Sequence, residues 1–430
     1  MHIYFSGIGG TGIGPLALIA KQAGYTVSGS DKQNSLYIEY LRKHGITDVH
    51  IGQTAVEIAK VHAEKPIDWF VYSSALPKEN PDHPELVFCE KQNIKHSKRD
   101  ELLNEILTQK NLKLIAIAGT HGKSTTTAMT IWLFKQLGIP VSYSVGAKLS
   151  YGEMGEYDPK SEYFVYECDE YDRNFLAFKP YMSIITGVSW DHNDVFPTKE
   201  DYQQAFRDFI TQSIQTVIWR QDMATTAAIT SGSYRVTSPE LSLESLNQIS
   251  LLGLVNRMDA WLAVTAMNTL TNEPIEKLIS IINDFPGLAR RFEKLATNIY
   301  TDYAHTAEKI HGAVQMASEA NDSVVVVYEG LHNRRQHFMR EQGQFADLFK
   351  GVKKLYWVPS YLAREDPNQQ LLSPSDLIPE LKQSVDASPA NLDDELLQHI
   401  KNHSGNNDLV LLISAGGGGS LDEWARANLV

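Results

Sequence analysis

Two cysteines in 430 residues, Cys89 and Cys168, are too few for a disulfide framework and stand at no metal-binding spacing. That scarcity predicts a reducing, cytoplasmic setting. Long apolar runs are missing too: none approaches the ~20 residues that a bilayer-crossing helix requires, so no membrane insertion is expected. SVVVVY (323–328) and LVLLIS (409–414) read instead as buried parallel strands. Basic charge is also in deficit, with 39 Lys and Arg against 52 Asp and Glu and a formal net charge of −13. A surface that wraps nucleic acid is thereby excluded, whereas a local cationic cluster for one small nucleotide is not. The opening MHIYFSG carries no basic n-region followed by a cleavage site, so no secretory leader is predicted.

What is present is a repeating alternation. Apolar runs of four to six residues alternate with amphipathic stretches, the pattern of parallel α/β sheets. The length predicts two to four domains, each able to bury its own core. A first segment has strands near Ile3–Ser6, Thr26–Ser30 and Trp69–Ser73. A second opens at Lys113 and continues through Tyr163–Glu167, Tyr181–Thr186 and Val217–Trp219, with helices over Met258–Leu270 and Glu276–Asn283. A third has strands near Ile299–Tyr303, Val324–Tyr328, Leu355–Val358 and Leu409–Ile413. Phe285-Pro286-Gly287 marks a hinge, 221–252 reads as mixed short strands and turns, and 359–390 reads as loop-rich.

Residues 116–127, AIAGTHGKSTTT, carry the most chemistry. An apolar strand, a glycine turn, Lys123-Ser124 and helix-forming residues to Leu137 make a phosphate cradle: backbone N–H groups and the helix N-terminus face the anion. Lys123 would reach the terminal phosphates, and the Ser124 hydroxyl would bind Mg²⁺. Ile117 stands where the usual pattern has Gly, so GTHGKS is a variant P-loop.

A second cradle opens the chain. Gly7, Gly9 and Gly12 have dinucleotide-fold spacing after a strand, with Asp31 at the end of the next. Alone, this suits a nicotinamide enzyme, or glycines that serve only strand–helix packing. Paired with an ATP-type loop, it suggests a nucleotide-linked substrate activated by ATP. YECDEYD (166–172) and SWDHNDVF (189–196) each follow an apolar run, which places their side chains at the ligand-binding edge of a parallel sheet. Glu167 and His192 there could complete a metal shell begun by Ser124, and the same clusters could be solvated loop charge and helix caps. Arg290-Arg291-Phe292 and TDYAH (301–305) stand near the second boundary, where an Arg neutralises phosphate charge or forms a surface ion pair.

In this order, GIGGTGIG, SGSD, SSALPKENP, GTHGKSTTT, ECDEYD, DHND, RRF and DYAH resemble the Mur ligases, ATP-dependent amide-forming enzymes of bacterial cell-wall precursor synthesis. The resemblance is to the branch acting on UDP-N-acetylmuramate. It implies an α/β protein of three domains: a Rossmann-like UDP-sugar domain (1–108), a central P-loop ATPase domain (109–288) and a Rossmann-like lid that brings the amine (289–430). UDP-sugar phosphates are implied over Gly7, Gly9, Gly10, Thr11 and Gly12, with Asp31, Ser73 and Ser74 lining that site. ATP is implied on Gly119, Thr120, His121, Gly122, Lys123, Ser124 and Thr125, with Asn256, Arg291, Asp302 and His305 as further contacts. Ser124, Glu167 and His192 match the Mg²⁺ ligands, and Lys123, Glu167, His192 and Arg291 match the catalytic set. A monomer or weak homodimer is implied.

Some positions depart from the family pattern. The family's His-Asn pair is Val255-Asn256 here, and its doubled His is His305-Thr306. Phe206 stands where many relatives carry a carbamoylated Lys, as in the muramate branch, so no carbamate is implied. GIGGTGIG and SSALPKENP resemble ligases that add L-alanine. ECDEYD, DHNDVF, YEGLHN (328–333) and SAGGGGSLDE (414–423) resemble those that recycle the murein tripeptide. L-Alanine, the commoner acceptor, is favoured, with Arg334, Arg335 and Arg340 as available lid cations. A nicotinamide oxidoreductase would leave GTHGKS and DHND without a role. A non-catalytic regulator would have no need of intact Lys123, Ser124, Glu167 and His192. No residue announces itself as the general base for the amine.

Overall fold

The computed structural model describes residues 1–73, 76–77, 80–190, 195–225, 235–362, 365–382 and 385–430. It contains three open sheets. The first joins β1 (His2–Ser6), β2 (Thr26–Asp31), β3 (Val49–Ile51), β4 (Trp69–Tyr72) and β5 (Lys95–Lys98) in the order β3-β2-β1-β4-β5, all pairs parallel. The second comprises β6 (Lys113–Ala118), β7 (Val141–Ser144), β8 (Gly155–Glu156), β9 (Tyr163–Glu167), β10 (Met182–Ile185), β11 (Gln215–Ile218) and β12 (Arg235–Thr237), ordered β12-β11-β10-β6-β9-β7-β8. Only its β7–β8 pair is antiparallel.

The third comprises β13 (Glu293–Ala296), β14 (Ile299–Asp302), β15 (Val324–Leu331), β16 (Lys354–Tyr361), β17 (Ala387–Pro389) and β18 (Leu409–Ile413). Its order is β13-β14-β18-β15-β16-β17, antiparallel only at β13–β14. Such topology needs strands that are apolar on both faces. Thus all five residues of β18 are buried. In β15, Val324, Val326 and Tyr328 pack on one side with Phe349 and Trp357, while Val325 and Val327 pack on the other with Ile400.

The chain divides into two compact units, Met1–Ser245 with Asp259–Phe285, and Leu246–Met258 with Pro286–Val430. The first holds two sheets and the second holds one. Within the first, Phe206 is fully buried, its ring centroid 5.1 Å from Phe175 and 5.1 Å from Tyr202.

The strands expected from apolar runs are present, and the unexpected ones are edge or near-edge strands. β5 (KHSK) buries only Ser97, and β17 carries Pro389 at a sheet edge, so neither needs an apolar run. The loop-rich stretch contains a helix, Pro374–Leu377, started by a Ser373–Asp376 capping box. The mixed stretch contains helices Arg220–Thr225 and Leu243–Leu246 beside β12.

At the N-terminal edge of the third sheet, the Asp408 carboxylate accepts from Lys353 Nζ at 2.8 and 2.9 Å and from Ser323 Oγ at 2.6 Å. His403 Nδ1 lies 2.7 Å away. Burial works against this charge, but those bonds overcome it and hold the carboxyl at about 2, below its ordinary 3.8. A depressed carboxylate contributes stability above its unfolded value and loses it as pH falls through the folded one. The stability gap between wild type and Asp408→Asn, read from urea unfolding, is therefore expected to shrink between about pH 4 and pH 2. In the first unit, Phe206→Ala is expected to cost about 3–5 kcal/mol in the same measurement, because it opens a cavity among aromatic rings.

Candidate active site

The P-loop forms where β6 ends and the helix Lys123–Gln136 begins. Ile117 is a buried strand residue paired with Ile184 and Glu167, so the tight turn starts two residues later, at Gly119. Gly122 caps the helix with φ 76°, and a Cβ there would lie 2.3 Å from Asp259 Oδ1. Glycine is thus required twice over, by backbone angle and by space. Thr120 pins the turn: its N–H donates to the Gly187 carbonyl at 3.0 Å, and its hydroxyl lies 2.7 Å from the Ser189 carbonyl and 2.8 Å from the Tyr202 hydroxyl. His121 and Thr125 are half-buried beside it.

Lys123 Nζ donates to the Gly119 carbonyl at 2.7 Å and pairs with Glu170 Oε2 at 2.6 Å. Burial opposes the ammonium charge, but Glu170, backed by Asp169 and Glu167, outweighs it and raises Lys123 above its ordinary value. One residue on, Ser124 Oγ donates to Glu167 Oε1 at 2.8 Å, and the Gly146 N–H donates to Glu167 Oε2 at 2.6 Å. A hydroxyl and a carboxylate oxygen held together are hard donors that suit Mg²⁺, which takes few protein ligands and keeps water and phosphate for the rest. His192, the third expected ligand, lies outside the described residues, as does Ser74.

The glycine loop follows β1. The N–H groups of Gly7 and Ile8 donate to the Ser30 carbonyl at 2.8 and 3.0 Å, and the Gly9 N–H donates to Asp31 Oδ2 at 2.8 Å. Asp31 therefore ties the loop to β2, and Ser73 sits half-buried beyond β4. Chain order reverses between β1 and β4, which places the loop at the topological switch point of the sheet. Thr11 and Gly12 line a cavity of about 220 Å³ whose other walls are Arg99, Lys123, Ser144 to Gly146, Tyr166, Glu167 and Asp169. Both cradles open on one space. A second cavity, about 360 Å³, lies at the same sheet edge between Lys32, Gly52, Gln53, Leu76, Asn80, His83 and Pro84.

In the second unit, Arg291, Asp302 and His305 gather at the C-terminal end of β14. Arg290 and Phe292 adopt φ 57° and 48°, strained for side chains of their size. Asp302 holds this turn, accepting from the Phe292 N–H and the Ala304 N–H at 2.8 Å each. The Arg290 guanidinium donates to the Ser414 and Gly416 carbonyls at 3.0 Å. Arg291 lies over the Tyr303 ring at 5.2 Å. His305 Nδ1 contacts the Tyr303 carbonyl at 3.0 Å, and burial, with Lys309 nearby, lowers its pKa well below the usual range and leaves it neutral. Asn256 Nδ2 donates to the Leu252 carbonyl at 2.9 Å.

Residues 2–111 match the Mur ligase family, catalytic domain, and residues 117–245 match the Mur ligase middle domain. The chain belongs to the Mur ligase family. It is 26% identical over 450 residues to UDP-N-acetylmuramate–L-alanine ligase of Clostridium acetobutylicum, covering 96% of this chain and 95% of the relative. Its fold matches the crystal structure of UDP-N-acetylmuramate-alanine ligase from Thermotoga maritima with a TM-score of 0.76 at 23% identity, covering 100% of this chain and 98% of that one. A murein peptide ligase from Psychrobacter arcticus matches with a TM-score of 0.65 at 20% identity, covering 100% and 99%.

Sequence reasoning passed over two charged residues of this Mur ligase's first-unit site, Glu170 and Arg99. Glu170 was hidden within an acidic cluster, and Arg99 belongs to no motif; its signal is position, directly after a strand on the ligand edge. Glu170→Gln removes the nearest countercharge of a largely enclosed ammonium, a loss on the order of 3 kcal/mol. Thermal denaturation is expected to show a lowered midpoint without nucleotide and a larger rise on adding Mg-ATP than wild type shows.

Proposed function

We propose that this Mur ligase joins the lactyl carboxylate of UDP-N-acetylmuramate to L-alanine at the expense of ATP, forming ADP and phosphate. The observation that carries this reading is the shared cavity: Thr11 and Gly12 of the glycine loop face the same space as Lys123 and Glu167. A sugar nucleotide whose pyrophosphate lies over Gly7–Gly12 and whose uridine fills the second cavity would present its acid end to the P-loop. The three sheets then correspond to UDP-sugar, ATP and lid domains. The full-length likeness to curated L-alanine ligases supports L-alanine as the amine. The likeness to a murein peptide ligase supports the tripeptide as the second reading.

A carboxylate is a poor electrophile, and phosphorylation gives it a leaving group. A lactyl oxygen attacks the γ-phosphorus, ADP departs, and the acyl phosphate accepts the amine; the tetrahedral adduct then expels phosphate. Lys123 follows the transferred charge, exchanging Glu170 for phosphate oxygens, and the Gly119–Ser124 turn supplies N–H donors. Arg291 on the lid adds a second cation, with Asp302 fixing the turn that presents it. His305, held neutral, and Asn256 would contact the nucleoside of ATP, as the family pattern implies. Mg²⁺ held by Ser124 and Glu167, with His192, would neutralise phosphate charge. Closure of the lid keeps water from the acyl phosphate.

Lys123→Ala is expected to abolish ADP release while UDP-N-acetylmuramate still binds in calorimetry; undiminished turnover would remove the P-loop from the mechanism. Acceptor choice is read from ADP release with L-alanine, glycine, L-serine and L-alanyl-γ-D-glutamyl-diaminopimelate. L-Alanine is expected to be fastest, and preference for the tripeptide would replace it as the substrate.

A further inference from the structure

Arg99 is the first residue of the helix Arg99–Gln109, directly after β5 and at the same sheet edge as the glycine loop. Its side chain crosses to that loop: a Cβ on Gly12 would lie only 2.2 Å from Arg99 Nη1. A side chain at position 12 would occupy space that the guanidinium now takes.

Its charge is incompletely matched. Lys123, the other cation on this cavity, is paired at 2.6 Å with Glu170. Among the described residues Arg99 forms one ion pair, with Asp169 Oδ2 at 3.7 Å, beyond hydrogen-bond length, and Asp100 beside it in the chain adds a weaker attraction. A guanidinium with spare donors at a cavity wall, close to a helix N-terminus, is built to take a two-oxygen anion in a forked geometry.

We propose that Arg99 binds an oxyanion of the sugar nucleotide, its pyrophosphate or its lactyl carboxylate, where the substrate passes from the glycine loop to the P-loop. This rests on the function proposed above and adds to it a substrate-binding cation between the two cradles. Both candidate groups share the same chemistry, and they separate experimentally because UDP-N-acetylglucosamine lacks the lactyl acid.

Calorimetry on the full chain compares UDP, UDP-N-acetylglucosamine and UDP-N-acetylmuramate with wild type, Arg99→Gln and Arg99→Lys, each checked for an unchanged unfolding midpoint. A charged hydrogen-bond pair corresponds to roughly 10–100-fold in affinity. Pyrophosphate contact predicts that Arg99→Gln loses this factor for all three ligands. Carboxylate contact predicts loss for UDP-N-acetylmuramate alone. In either case Arg99→Lys, which keeps the charge without the fork, recovers part of the loss. Wild-type affinity of Arg99→Gln for all three ligands would overturn the assignment while leaving the proposed function standing. Failure of wild type itself to bind any of them would overturn both. Should Arg99→Gln not fold, Arg99→Lys carries the test, and its undiminished affinity for all three would equally overturn the assignment.

Discussion

The ion pair between half-buried Lys123 and fully buried Glu170 is the interaction on which the site turns. An ammonium enclosed near the end of a parallel strand is tolerated only with a countercharge, and Glu170, fully buried, supplies it at 2.6 Å. The pair ties the P-loop turn to the acidic run after β9, and in the proposed mechanism a nucleotide takes the place of Glu170. A phosphate must offer Lys123 at least what Glu170 offers. Around this pair the sheet edge is stocked with hard oxygen donors, Ser124 and Glu167, and with backbone N–H groups. Such a set handles phosphoryl transfer by placing charge rather than by moving protons.

A second constraint is topological. In open parallel sheets the loops that bind ligands all leave the C-terminal strand ends. The glycine loop after β1, Arg99 after β5, Ser124 after β6 and Glu167 at the end of β9 are therefore four products of one rule. In the second unit the same rule puts Asp302 at the end of β14 and Ser414 just past β18. The network at Asp408 belongs to the opposite edge.

How much of this was legible in the sequence follows from where each signal comes from. Central strands must be apolar on both faces, so β1, β6, β15 and β18 stand out, whereas β5 and β17, at sheet edges, leave no apolar trace. Lys123, Ser124 and Glu167 were legible because a phosphate cradle constrains spacing along the chain. Arg99 was not, because its neighbours Gly12 and Asp169 are distant in sequence and only the fold joins them. Glu170 stood in a visible acidic run, but its pairing with Lys123 depends on a turn that spacing does not encode. The strain at Arg290 and Phe292 was equally hidden, since neither residue type favours positive φ.

The central claim is that the sugar acid and the ATP phosphate meet in one cavity. The most direct measurement follows oxygen. UDP-N-acetylmuramate labelled with ¹⁸O in its lactyl carboxylate is turned over with ATP and L-alanine, and the released phosphate is analysed by mass spectrometry. Transfer of one labelled oxygen to phosphate is the predicted result, because the carboxylate attacks phosphorus and that oxygen leaves with the phosphate. Unlabelled phosphate, released while the amide forms, would contradict the account.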